Sequence, residues 1–249
     1  MKVFMNMVDL PERDRVALIA LADRVVGPDG EDNHAVMAEI AAYLAKVIQA
    51  RMAAPGDDLI SKIATAEIDG APIGFNQAVG VCSLLLIGGL DTVASMMSFS
   101  MNYLATHPEQ RRMLVENPAL IPGAVDEFLR RFALTSPGRV VVEDMTFQGV
   151  EMKAGDMMVL ATPFGALDPA AYENAAAVDF TRKSPFSTTF GNGHHRCPGN
   201  MLARAELRVM LEEWLARIPD FERDDTREVV VRAGINGSIA SLPLRWSVA

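Results

Sequence analysis

Hydrophobic positions recur at three- and four-residue intervals through the first 135 residues, and that spacing predicts helices. "LPERDRVALIALADRVV" (residues 10–26) has a proline in its first turn and stops at "GPDG", residues 27–30. "NHAVMAEIAAYLAKVIQARMA" (33–53) is a second amphipathic run, ended by "APGDD". "DLISKIATAE" (58–67) is a short third, closed by a turn at "DGAPI". From Gly74 to Thr106 the pattern is apolar on every face, which predicts a long, fully buried helix that His107-Pro108 terminates. "PEQRRMLVEN" and "IPGAVDEFLRRFA" follow as two shorter helices. The period then shortens. "GRVVVED", "MTFQGVEMK" and "DMMVLAT" are short β-type runs with turn residues between them. A proline- and alanine-rich stretch leads to "FGNGHHRCPG" (190–199) and a last long helix, "NMLARAELRVMLEEWLARI". The tail "VVVRAGINGSIASLPLRWS" reads as strand, turn, strand. The expected fold class is mainly α with small β-sheets (α+β), one domain over residues 1–249.

The apolar run also imitates a membrane span, because Asp91 is the only formal charge from Gly70 to His107. Pro72, Asn76 and Gln77 interrupt its start, and no Lys/Arg cluster or aromatic belt flanks it. The expectation is therefore a buried helix and no membrane, with Asp91 requiring a role. An unpaired carboxylate inside a helix bundle would cost several kcal/mol. Lys+Arg total 23 against Asp+Glu 32, a net charge of -9 that argues against nucleic acid as a partner. Cys82 and Cys197 lie in unlike surroundings and form no disulfide framework, which fits a reducing, cytoplasmic setting. No signal-peptide core precedes the first charges.

Cys197 is the residue that points to chemistry. It follows two glycines and two histidines and lies just before the last helix, where free N–H groups favour an anion. A zinc site on His194, His195 and Cys197 would lack its fourth ligand. A cysteine nucleophile would need a base, and His195 is close in sequence without being clearly aimed at the sulfur. A buried structural cysteine does not suit so polar and glycine-rich a setting. A thiolate ligand to haem iron accounts for every part.

The stretch fits F-x-x-G-x-[HR]-x-C-x-G at Phe190, Gly193, His195, Cys197 and Gly199, and so resembles the haem-binding loop of the cytochrome P-450 superfamily. Two further motifs occur in that family's order. "EFLR" puts Glu127 and Arg130 at an i, i+3 spacing that alone is an ordinary helix-surface pair, and resembles the family's Glu-x-x-Arg brace. A basic residue from a later loop completes the family's brace. Ala177 stands at that place in this chain, with Arg182 close by. "GGLDT" (88–92) resembles the oxygen-activation segment of the central helix. There the resemblance implies that Gly88 lets the helix open beside haem, Thr92 hydrogen-bonds to oxygen, and Asp91 relays protons.

By the same resemblance Arg139 and His195 pair with the haem propionates. The sequence is most similar to the bacterial camphor-hydroxylating subgroup, which implies a substrate pocket lined by Leu84, Ile87 and Thr135. Pro137 departs from that subgroup, which carries an acidic residue there, and so points to another compact, apolar, terpenoid-like substrate. The implied activity is monooxygenation with O2 and electrons from a ferredoxin-type donor, for which Arg196, Arg204 and Arg208 offer local positive charge. The region that precedes "MKVFMNMVDLPERD" in the family has no counterpart in these 249 residues. Two rival expectations follow: a shortened chain that does not retain haem, or a metal- or phosphate-binding module built on "FGNGHHRC".

Overall fold

The computed structural model describes residues 2–26, 33–183 and 187–247, so the turn expected at residues 27–30 lies outside them. Two compact units divide the chain, Met1–Ala94 and Ser95–Ala249.

In the first unit α1 (Lys2–Met7), which the hydrophobic pattern did not reveal, precedes α2 (Arg15–Val26) and α3 (Asn33–Ala53). α3 carries Val36, Ile40, Leu44 and Ile48 four residues apart, so all four share one side and all are buried. α4 (Leu59–Ala64) starts where the Asp58 carboxylate accepts the Ser61 N–H at 3.0 Å, and is shorter than the sequence implied. β1 (Glu67–Ile68) and β2 (Ala71–Pro72) form an antiparallel hairpin turned by Asp69 and Gly70 at positive φ. α5 (Phe75–Leu90) then packs on α3 through Ala78, Cys82, Leu86 and Leu90.

The expected continuous helix from Gly74 to Thr106 is not what forms. α5 ends at Leu90, Asp91 lies outside regular helix, and α6 (Thr92–Thr106) begins directly after it. Gly88 and Gly89 weaken the helix at this point, and the Gly88 carbonyl accepts the Thr92 hydroxyl at 2.7 Å. Nor is the run buried all round. Val81, Leu84 and Gly88 share a bare side of α5, with Leu84 70% exposed. Within the described residues Phe75–Thr106 is long and apolar enough to cross a membrane, and 33% of its most apolar window is buried. All-round apolar patterning reported the absence of polar residues, which is a weaker fact than burial.

The second unit is built on α6, α7 (Pro108–Glu116), α8 (Ile121–Arg131) and α10 (Asn200–Arg217), with the short α9 (Thr162–Ala166) between the last two. α10 offers Ala203, Leu207, Leu211 and Leu215, again four apart, to a core that α8 enters with Val125, Phe128 and Leu129. Gly123 of α8 lies so close to the chain that an added Cβ would stand 2.3 Å from the Phe180 carbonyl oxygen. Every β element is half of a two-stranded antiparallel hairpin or pair. β3 (Gly138–Val140) pairs with β6 (Met157–Val159), β4 (Met145–Phe147) with β5 (Val150–Met152), and β8 (Val230–Arg232) with β9 (Ser238–Ser241). β7 (Glu222–Arg223) pairs with the terminal β10 (Leu244–Arg245). The fold is mainly α with small sheets, as the change of period implied.

Candidate functional site

The loop from Phe190 to Gly199 is held by short-range bonds that its glycines make possible. Gly191 and Gly193 take φ of 66° and 61°, a region that side chains with a Cβ rarely adopt. These two turns bring the Cys197 N–H back onto the Phe190 carbonyl at 2.8 Å, closing the loop on itself. Thr189 anchors its entry, donating its hydroxyl to the Leu129 carbonyl of α8 at 2.7 Å. Gly199 is the N-cap of α10, and a Cβ there would lie 3.8 Å from the Cys197 sulfur. The sulfur therefore sits against the first turn of an 18-residue helix, where free N–H groups stabilise negative charge. Cys197 is half-buried, whereas Cys82 is buried in the first unit. Burial, helped by the Asp58 carboxylate, pushes the Cys82 thiol up to about 11, which makes it a poor thiolate.

Glu127 and Arg130 are not a surface pair. They are 3% and 1% exposed, with Arg130 Nε and Nη2 each 2.8 Å from one carboxylate oxygen. Nη1 of Arg130 also reaches the Ala166 and Ala175 carbonyls, and Nη2 the Ala177 carbonyl. Arg182 completes the cluster: its Nε donates to Glu127 at 3.0 Å and its Nη1 to the Glu173 carbonyl at 2.7 Å. Burial alone would raise the Glu127 carboxyl, yet bonds from Arg130, the Asp179 N–H and Arg182 outweigh it and hold the group below its ordinary value. Ala177 thus contributes only its carbonyl, and the cation it lacks comes from five residues further on.

In the first unit Gly88, Asp91 and Thr92 meet at the break between α5 and α6, with Leu84 on the bare side of α5 and Ile87 half-buried against the core. An added Cβ at Gly88 would meet nothing within 4 Å, whereas one at Gly89 would stand 2.5 Å from the Phe4 ring. Gly88 keeps one side of the break open, and Gly89 allows α1 to pack. The Thr92 proton is committed to Gly88, so its oxygen is left to accept.

In the second unit Thr135 bridges to Asn236 and accepts the Thr162 hydroxyl. Arg139, on β3, donates to its neighbour's carbonyl and has no carboxylate partner among the described residues. His195 is exposed and likewise without a hydrogen-bond partner there. The proposed basic patch is less positive than its sequence, because Arg204 pairs with Asp126 at 2.9 Å and Arg208 with Glu212 at 3.7 Å. Among the described residues no three His, Cys, Asp or Glu gather as a metal cluster. A haem-thiolate centre asks for less, one sulfur ligand and polar partners for two propionates, and the second unit carries Cys197, Arg139 and His195 as candidates for these places. Asn200 was missed as a partner of this loop; its side chain donates to the Cys197 carbonyl at 2.8 Å.

Comparison with known proteins identifies the family. The family model described as cytochrome P-450 matches residues 2–218. A vitamin D(3) 25-hydroxylase of Pseudonocardia autotrophica is 32% identical over 88% of this chain and 55% of its own. A steroid C26-monooxygenase of Mycobacterium tuberculosis is 34% identical over 86% of this chain and 59% of its own. The crystal structure of CYP101J2 superposes with a TM-score of 0.88 at 41% identity, covering 99% of this chain and 62% of that one. The chain thus spans roughly six tenths of the length of the curated relatives it matches. With a family match across 2–218 and a cysteine loop of the geometry above, the chain belongs to the cytochrome P-450 family.

Proposed function

We propose that this chain is the haem-bearing part of a soluble, cytoplasmic, bacterial haem-thiolate monooxygenase acting on a compact apolar substrate. The observation that carries the reading is the position of the Cys197 sulfur, against the N-cap of α10 in a loop closed by its own N–H. Cys197 would be the protein ligand to iron, with Phe190, Gly193 and Gly199 shaping the loop. Arg139 and His195, which have no carboxylate partner among the described residues, would take the propionates. When bound, haem supplies the oxidising chemistry that places one atom of O2 into a C–H bond and releases the other as water.

The protein's residues supply protons and position. Thr92, its own proton held by Gly88, would accept a hydrogen bond, the role that the family resemblance gives it. Asp91, at the helix break, would pass protons inward from solvent. Leu84, Ile87 and Thr135 would select an apolar substrate, and a terpenoid-like molecule agrees with relatives named for vitamin D3 and a steroid. Electrons would come from a ferredoxin-type donor.

The deciding experiment is to load the chain with haem, reduce it under carbon monoxide and record the Soret band. The thiolate position is expected, lost in Cys197→Ala and kept in Cys82→Ala; a band at the histidine position would refute the proposal. The bare apolar side of α5 favours a second reading, that these 249 residues alone hold haem weakly, and haem content in the same preparation measures it.

A further inference from the structure

We infer that Arg204 is a positioning residue for Cys197, because one guanidinium ties both ends of the cysteine loop to α8. Its Nε donates to Asp126 of α8 at 2.9 Å. Its central carbon stands 4.9 Å from the centre of the Phe190 ring, a cation–π distance, at the entry of the loop. The Phe190 carbonyl is the group that receives the Cys197 N–H. At the other end, Nη1 faces the Asn200 side-chain oxygen at 3.4 Å, and the amide nitrogen of Asn200 donates to the Cys197 carbonyl. The cation thereby fixes the sense of that amide. Turned over, Asn200 would present N–H groups to a guanidinium and an oxygen to a carbonyl, and both contacts would repel. The amide dipole that Arg204 selects points its positive end at the residue carrying the sulfur.

This goes beyond the haem-thiolate reading and depends on it only for the effect on the iron. Hydrogen bonds around a thiolate ligand draw off charge and make the metal easier to reduce. The Arg204–Asp126 pair is 34% and 64% exposed, and pairs that open to water add little to stability. Removing Arg204 is therefore expected to alter the loop while the bulk of the unit keeps its melting behaviour. Arg208, four residues on and paired with Glu212, is the matching control.

The test compares Arg204→Ala, Asn200→Ala and Arg208→Ala, first by amide hydrogen exchange across residues 190–200 without haem. Arg204→Ala is expected to speed exchange of the Cys197 N–H on the order of tenfold, with α8 and the rest of α10 unchanged. Arg208→Ala is expected to leave the loop as it was. In haem-loaded protein, Arg204→Ala and Asn200→Ala should both lower the reduction potential, and the double variant should fall short of their sum, because the two act in series. Equal exchange in parent and Arg204→Ala, or an equal effect of Arg208→Ala, overturns the inference. A carbon-monoxide band at the histidine position in the unaltered protein overturns the thiolate reading instead, and the exchange result still decides the role of Arg204 in the loop.

Discussion

Replacing Arg182 by alanine measures what the third member of the buried cluster contributes. Glu127 is 3% exposed, and its Oε1 receives Arg130 Nη2 at 2.8 Å, the Asp179 N–H at 2.9 Å and Arg182 Nε at 3.0 Å. Arg182→Ala removes one of these charged donors but leaves Arg130 with both of its bonds. The carboxylate is not orphaned and loses one hydrogen bond from a charged donor, about 1.5–3 kcal/mol. The bond from Arg182 Nη1 to the Glu173 carbonyl at 2.7 Å goes with it, so that figure is a lower bound. The Arg182 side chain is 13% exposed, so water screens little of it. Glu127→Ala differs in kind, because it leaves two guanidinium groups without their counter-charge, a loss of about 3–5 kcal/mol. In a chain of this size the Arg182 figure lowers the melting midpoint by about 3–12 °C. Thermal and urea unfolding followed by circular dichroism would read both variants. An Arg182→Ala midpoint equal to the parent's, or a Glu127→Ala loss no larger than that of Arg182→Ala, would show that the 3.0 Å contact carries no weight.

Four further outcomes follow. Glu127 has a depressed carboxyl pKa in the folded chain, so its stabilising effect is complete above the unfolded value of 4.5 and fades as pH falls through the lower folded value. Glu127→Gln should therefore flatten the acid limb of stability below about pH 4.5, and an unchanged limb in urea titrations across pH would contradict the cluster's electrostatics. Gly123→Ala should destabilise more than Gly89→Ala, since the first meets a backbone oxygen at 2.3 Å and the second a ring that can turn. Overpacking of this sort costs about 1–3 kcal/mol, and equal melting of the two would refute the contrast. In haem-loaded protein Thr92→Ala should lower product per electron more than oxygen uptake, and unchanged coupling would remove the hydroxyl from the reaction. The bare apolar side of α5, with Leu84 70% exposed, predicts self-association of the purified chain that Leu84→Gln reduces, as read by light scattering.

What the sequence revealed and what it hid follow from how far apart the interacting atoms lie along the chain. The cysteine loop was legible because its geometry is made within ten residues: two glycines at positive φ, a returning N–H and a helix start. The break at Asp91 was half legible. The hydrophobic pattern predicts one continuous helix and only the family resemblance implies an opening at Gly88; nor can apolar patterning distinguish a side that is covered from one that is bare. α5 has one of each: Ala78, Cys82 and Leu86 are buried while Val81 and Leu84 are not, and all five are apolar or nearly so. Contacts across long stretches of chain were mostly opaque, although Arg182 stood out in the sequence as a cation close to Ala177. Arg182 reaches Glu127 over 55 residues, and Asp126 reaches Arg204 over 78. Arginine tolerates this because its long side chain and five donors let a cation leave one backbone position and serve the same carboxylate from another. A motif that fixes residue types at fixed places will therefore report Ala177 as a lost cation. The physical requirement is only that the Glu127 charge be met in a buried space, and Arg182 meets it.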